Sequence, residues 1–350
     1  MTSVSEIYAE PELRQEFSYK WRSELPFDDM LLLADFAVAQ EDPVSYLDEL
    51  EDTDRNRHFE IKKLITELPA EVIYTNYGTE VLAWAAANAT FTDTSKRLYE
   101  GLEKHADIDP VVFEKARLWE WQQGLNSKGK NVLGQYRSME YVLQGGLEKV
   151  DLDGILTRSA LPGVELSQTR LKDYSLLPLI SKESFAQPDG PAKDWYYLQD
   201  DSDIFWGIWL DAPTGFALTY KGKPNAVVAM AKTDPSTLMI HQLQGVRAKR
   251  IDLSRKYEKD NVTGHVSARG LAPLDWQKVM VGVTEELAAG QDIPVLGLQA
   301  GKNNKWTKII IDGETEPHIS EEVAMNAYDL PGKRLGFERG ARDNWYRRVA

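Results

Sequence analysis

Hydrophobic positions fall into two regimes along the chain. Up to about residue 160 apolar side chains recur at helical spacing, and from Gly215 onward short apolar or alternating runs are separated by turn signals. In the first regime residues 27–40 (FDDMLLLADFAVAQ) place acids ahead of apolar residues, as the dipole of a helix start favours. Asp42-Pro43 and Asp109-Pro110 each read as an N-cap followed by proline at the first helical position. After the second of these, Val112, Ala116, Trp119 and Gln123 share one helical face. The Ala-rich stretch 79–88 (TEVLAWAAAN) predicts a buried helix, and 138–150 predicts another. No fixed repeat recurs, which argues against a solenoid. Between 151 and 211 the pattern is ambiguous: Gln187-Pro-Asp-Gly-Pro191 is a loop, and 204–210 (IFWGIWL) fits strand or helix equally.

The second regime begins with GFALTY (215–220), a strand ending at the turn signal Lys221-Gly-Lys223. NAVVAMAK (225–232) is the returning strand. Asp234-Pro-Ser turns the chain into a third strand, TLMIHQLQ (237–244), so the three form an antiparallel meander. A long polar stretch, 247–270, follows. Asp275 then caps a helix whose face carries Trp276, Val279, Met280, Val283 and Leu287, with Gly290 as a good C′ residue at its end. A strand over 294–300, a helix over 321–334 and a last strand over 344–349 complete the order. The expected architecture is α+β: a mainly helical domain over 1–160, then a domain over 161–350 built on a mostly antiparallel central sheet.

Composition narrows what such a chain does. At 350 residues it has the length of about two domains. With 42% hydrophobic and 10% aromatic residues it buries a sizeable core, so disorder is excluded for most of it. A formal net charge of −14 repels phosphate backbones and argues against nucleic acid as a partner. There is no cysteine, which removes disulfides, thiolate nucleophiles and cysteine zinc sites and points to a reducing, cytoplasmic setting. The first twenty residues lack the apolar centre of a signal peptide. No run reaches the roughly 18 apolar residues of a membrane span, and no lipidation signal is visible. None of the five histidines has metal-ligand spacing, and the signatures of phosphate-loop nucleotide hydrolysis, dinucleotide redox chemistry and serine hydrolysis are missing.

Three local features then point one way. The end of the third strand reads Gln242-Leu-Gln244-Gly245-Val246-Arg247, a glycine-containing turn of the kind whose backbone N–H groups bind anions. A helix over 275–289 leads straight into the strand 294–300. Near the C-terminal end, Tyr328-Asp-Leu-Pro-Gly-Lys-Arg-Leu-Gly336-Phe337-Glu ends a helix before the last strand. In this order the features resemble the GNAT superfamily of acyl-CoA-dependent N-acyltransferases, over roughly 165–350. Gln242 and Gly245 match the first and fourth positions of that family's pyrophosphate loop, and Arg247 stands where a small residue is usual.

The resemblance implies acetyl-CoA or another acyl-CoA as donor and a small-molecule or peptide amine as acceptor. Gln242, Gln244, Gly245, Val246, Arg247 and Asn303 would bind the cofactor. The strand 294–300 would splay from 238–244 to admit the pantetheine arm. His241, entering the loop, would take a proton from the amine through water, and Tyr328 would act as the acid. Lys221, Lys223, Arg247, Lys249, Arg250, Arg255 and Lys256 would form a basic rim if the strand ends converge, and Asp200, Asp201 and Asp203 would attract a cationic amine. Two departures stand out. The segment 247–273 separates loop from helix, leaving the anion site intact if it folds outward and excluding CoA if it fills the cleft. Gly332 occupies the position where family members often carry the acid tyrosine. The alternative is therefore a GNAT-like scaffold without catalysis that serves as a binding or interaction protein.

Overall fold

The computed structural model describes residues 43–89, 92–122, 129–179, 212–245, 271–304, 307–308 and 320–349. The sequence-predicted helix over 27–40, the cap at Asp42, the run 204–210, the acidic cluster at Asp200, Asp201 and Asp203, and the stretch 247–270 lie outside the described residues. Two compact units divide the chain, Met1–Tyr136 and Arg137–Ala350.

The first unit is helical. It contains α1 (Pro43–Thr53), α2 (Arg55–Glu67), α3 (Ala70–Asn88), α4 (Thr92–Ala106), α5 (Pro110–Gln122) and the first half of α6 (Gly129–Leu143). The Asp109 carboxylate accepts from the N–H groups of Val111 and Val112 at 2.8 and 3.1 Å, the cap its sequence predicted. Val112, Ala116 and Trp119 are buried, as their shared face requires. In α3 the Ala-rich half is wholly interior, every residue from Val81 to Ala87 being buried. Gly78, with φ 81° and ψ −177°, separates it from the helical turns before it.

Glu120, on α5, is the unusual member of this core. It is 1% exposed. Its Oε1 accepts from Gln135 Nε2 of α6 at 3.2 Å, and among the described residues its buried Oε2 has no hydrogen-bond partner. Burial outweighs the Gln135 hydrogen bond and pushes its carboxyl up to about 7.

In the second unit α6 ends at Leu143, and a 3₁₀ turn (Gly146–Lys149) replaces the rest of the helix expected over 138–150. The cause is Gly145, whose φ of 86° ends the right-handed run. The short helices α7 (Leu152–Arg158) and α8 (Gln168–Leu171) lead into a seven-stranded sheet of order β1-β2-β3-β4-β5-β7-β6. Its strands are β1 (Tyr174–Pro178), β2 (Thr214–Tyr220), β3 (Lys223–Asp234), β4 (Thr237–Gly245), β5 (Val295–Leu298), β6 (Glu338–Arg339) and β7 (Trp345–Arg348). The predicted meander is present as β2, β3 and β4. Its first turn places Lys221 and Gly222 at φ 53° and 72°, the left-handed pair that a two-residue hairpin uses. All neighbours pair antiparallel except β4 and β5, which run parallel. The chain is thus α+β, with helices mainly in the N-terminal part.

The connection into β5 carries α9 (Trp276–Ala289), capped by Asp275, whose carboxylate accepts from the Lys278 N–H at 3.3 Å. Val279, Met280, Val283 and Leu287 are fully buried, and α9 packs on β3, β4 and β5. Burying each such side chain stabilises by about 1.5–3 kcal/mol. Gly290 ends the helix as its C-cap with φ −66°, and Asp292 follows in the left-handed region at 55°. A Cβ at 290 would lie 2.0 Å from Tyr141 Oη, so a larger residue there would require the tyrosine to move. The helix predicted over 321–334 is continuous but not uniform. An α-turn, α10 (Glu321–Ala324), runs through a π-turn (Met325–Asp329) into α11 (Leu330–Arg334). Among the described residues no helix is long and apolar enough to cross a membrane.

Candidate functional site: a fork between two parallel strands

The parallel pairing of β4 with β5 is short. It runs from Thr237↔Val295 to Ile240↔Leu298 and is followed by one further bond, from Gln299 N to Ile240 O at 2.9 Å. There the strands part. The chain after β5 turns into a 3₁₀ turn (Gly301–Asn303), whereas β4 continues to Gly245 with β3 on its other side. At the same point the β3–β4 ladder slips: Met230 faces Ile240 and Ala229 faces Gln242, so His241 is the extra residue of a β-bulge. A bulge bends its strand and takes backbone groups out of the ladder, and such features recur beside active sites. Fork and bulge therefore coincide at His241. The sequence-predicted splay between 238–244 and 294–300 begins at this position.

Three of the predicted cofactor residues lie on β4 beyond the fork, where β3 is its strand partner among the described residues. Gln242 is 8% exposed. Its Nε2 donates to Gln244 Oε1 at 3.1 Å, while its Oε1 is buried with no hydrogen-bond partner among the described residues. An unsatisfied buried acceptor costs about 1–3 kcal/mol, so its presence here needs a cause. Gly245 lies under the Trp276 indole, which is 3.0 Å from where a Cβ would stand. His241 is half-buried and its Nε2 is buried. Val246 and Arg247 lie outside the described residues.

Asn303 sits at the end of the β5 branch. Its side-chain amide donates to Arg342 O at 2.7 Å and to Asn344 Oδ1 at 2.8 Å, and Asn344 Oδ1 also accepts from Ala300 N at 2.9 Å. These bonds tie the 301–303 turn to the start of β7. Tyr328 is buried within the π-turn, and that turn packs on both β4 and the 301–303 turn. The structure thus gathers β4, the end of β5 and the segment bearing Tyr328 into one neighbourhood. Lys221 is at the same end of the sheet as Gly245, which pairs with Ala226, and it forms an ion pair with Asp173 at 3.6 Å.

Two side-chain networks that the sequence reading did not contain shape the surroundings. Asp329, also in the π-turn, accepts from Trp345 Nε1 at 2.7 Å and from Arg339 Nη2 at 2.8 Å, and the Arg339 guanidinium lies 4.0 Å from the centre of the Trp345 ring. This network clamps the helix to β7 and explains Gly332: a Cβ at that position would lie 2.8 Å from Trp345 Cγ, so the indole fills the space a tyrosine would need. At the start of α9, Asp275 is bound by both Nη atoms of Arg334, whose Nη2 also reaches Gln277. A carboxylate therefore stands at this helix N-terminus. No short-range signal announces either network, because each joins residues far apart in sequence.

A trough of about 790 Å³ runs along α9, bounded by Ile155 and Arg158 on one side and by Leu335 and Arg347 on the other. None of the predicted site residues lines it, and most of its charges are paired within it: Arg347 with Glu285, Arg334 with Asp275, and Arg158 with Glu286, while Lys278 donates to the Arg158 carbonyl. It is a surface trough of mixed charge, lined by residues other than those of the fork. Comparison with family models, with curated proteins and with solved structures gave no match.

Proposed function

We propose that the second unit is an acyl-CoA-dependent N-acyltransferase of the GNAT type, acting on a small-molecule or peptide amine in a cytoplasmic setting. The observation that carries this reading is the fork at the His241 bulge, set in a sheet whose strand order has one parallel pair at that very place. A strand edge that has no neighbour among the described residues presents backbone donors and acceptors to an extended, amide-bearing ligand. Acyl-CoA would bring the activated thioester carbonyl and a thiolate leaving group. Gln242, Gln244, Gly245, Val246 and Arg247 would hold it, mostly through backbone, with Asn303 keeping the β5 branch in place. His241 would take, through a water, the proton shed by the amine as the C–N bond forms. Tyr328 would return a proton to sulfur as the C–S bond breaks.

Titration calorimetry with acetyl-CoA and with longer acyl-CoA thioesters tests the reading. Binding in the micromolar range, abolished in a Gly245→Trp variant, is expected. No heat with any of these thioesters would overturn it.

A second reading, a scaffold of the same type that binds a partner without catalysis, is favoured by two observations. Trp345 fills the space beside Gly332, and a carboxylate occupies the start of α9. Under it, CoA thioesters leave the melting temperature unchanged, whereas a ligand of the folded state raises it.

A further inference from the structure

The π-turn between α10 and α11 changes which side chains line up on the solvent side of this helix. The Leu330 N–H donates to Met325 O, five residues earlier, so a single turn of chain separates the two. In an uninterrupted α-helix, residues five apart point about 140° away from each other. Here Met325 and Leu330 share one face, and they are 51% and 59% exposed. The α-helical turns on either side extend the row by three residues each way, to Glu322 and Lys333, both exposed. Val323, 54% exposed, adjoins the row. The opposite face, with Ala324, Tyr328, Pro331 and Gly332, is buried.

This row is complementary to itself. Glu322 and Lys333 have the same midpoint in the chain as Met325 and Leu330, between Ala327 and Tyr328. A two-fold axis through that point lays a second copy of the helix antiparallel on the first. Met325 then meets Leu330 twice, and Glu322 meets Lys333 twice. We propose that this face is the contact between two copies of the chain. A parallel arrangement would set like against like, Glu322 on Glu322 and Lys333 on Lys333. The helix dipole alone favours acids first and bases last, but it gives no reason for two large apolar side chains aligned in water between them. Arg334 is held by Asp275. Glu322 and Lys333 are in no ion pair among the described residues, which leaves both charges for the second copy. One helix face is smaller than the roughly 800 Å² per partner of a standard interface, so the dimer is weak, with a dissociation constant on the order of 10–100 µM.

Sedimentation velocity of the full chain, over concentrations from about tenfold below to tenfold above that range, tests the pairing. The weight-average mass is expected to climb from 39.7 kDa towards twice that value. Glu322→Lys and Lys333→Glu each bring like charges together at both ends of the contact, and each should weaken self-association about tenfold. Mixed in equal amounts, the two variants have opposite charges at both ends again and should pair as tightly as wild type. Leu330→Ser, at an exposed position, should weaken association about tenfold through lost apolar contact. A wild type that stays at 39.7 kDa throughout overturns the proposal, and that series stands by itself even if a variant folds poorly. Association that neither charge reversal weakens, or a mixture that pairs no better than the separate variants, overturns it as well.

Discussion

Replacing Glu120 by Gln should flatten the dependence of stability on pH between about 5 and 8. The carboxyl sits in a buried contact between α5 and α6 with one oxygen bonded to Gln135 and the other bonded to nothing described. Its folded-state value is pushed up from an ordinary 4.5 to about 7. The folded protein therefore holds this proton more tightly than the unfolded chain, and stability falls as pH rises. The contribution is complete below about 4.5, declines through the interval and is lost above about 7. At about 1.4 kcal/mol per pH unit, the loss is about 3 kcal/mol, a large part of the margin of a typical domain. Gln at 120 is a permanent stand-in for the protonated acid. It keeps an acceptor for Gln135 and places an uncharged amide where Oε2 was, which adds an offset independent of pH. The informative quantity is thus the slope. Urea unfolding followed by far-ultraviolet circular dichroism at pH 5.0, 6.0, 7.0 and 8.0 should show wild type losing about 3 kcal/mol more than the variant across the series. The carboxylates common to both proteins cancel in that difference. Parallel loss in the two proteins would mean that Glu120 is ionised in the folded state, and the account of its burial would be wrong.

Two further outcomes follow from the clamp on β7. Gly332→Tyr, which restores the residue usual in the resembled family, should lower stability by about 1–3 kcal/mol, because the Trp345 ring already fills the space; an unchanged melting temperature in a thermal scan would contradict this. Asp329→Leu strands the buried Trp345 N–H and the Arg339 guanidinium, at a cost of about 1–3 kcal/mol in chemical denaturation, whereas Asp329→Asn, which keeps an acceptor oxygen, should recover most of that.

The elements read correctly from the chain are those whose causes are local. The apolar face of α9 repeats every three to four residues, Asp109 and Asp275 cap the helices they precede, and Lys221-Gly222 supplies the left-handed pair that its hairpin needs. What escaped notice depends on partners distant in sequence. The strand β1 is a half-buried edge whose register with β2 is set across more than thirty intervening residues, and β6 is two residues long. Gly290 ends α9 as its position suggested, but its closeness to Tyr141, well over a hundred residues earlier, was not legible. At the candidate site the residue types on β4 were visible, since a Gln-x-Gln-Gly run is short. The bulge at His241 was not: it exists only in the relation between β3 and β4. The filled space at Gly332 likewise belongs to Trp345, thirteen residues on, and to the bend of the chain that brings the two together.

The strand order at the far side of the sheet has a consequence for synthesis on the ribosome. The edge of β5 that faces away from β4 is covered by β7, yet roughly 45 residues separate the two strands in the chain. At about 5–20 residues per second, a growing chain carries that edge uncovered for about 2–9 s after Val295–Leu298 has been made. The segment is short and apolar, the kind of edge that pairs with other chains when left open. Prematurely terminated products lacking Trp345–Arg348 would keep it open permanently, so the last strand serves as the molecule's own guard against pairing with its neighbours.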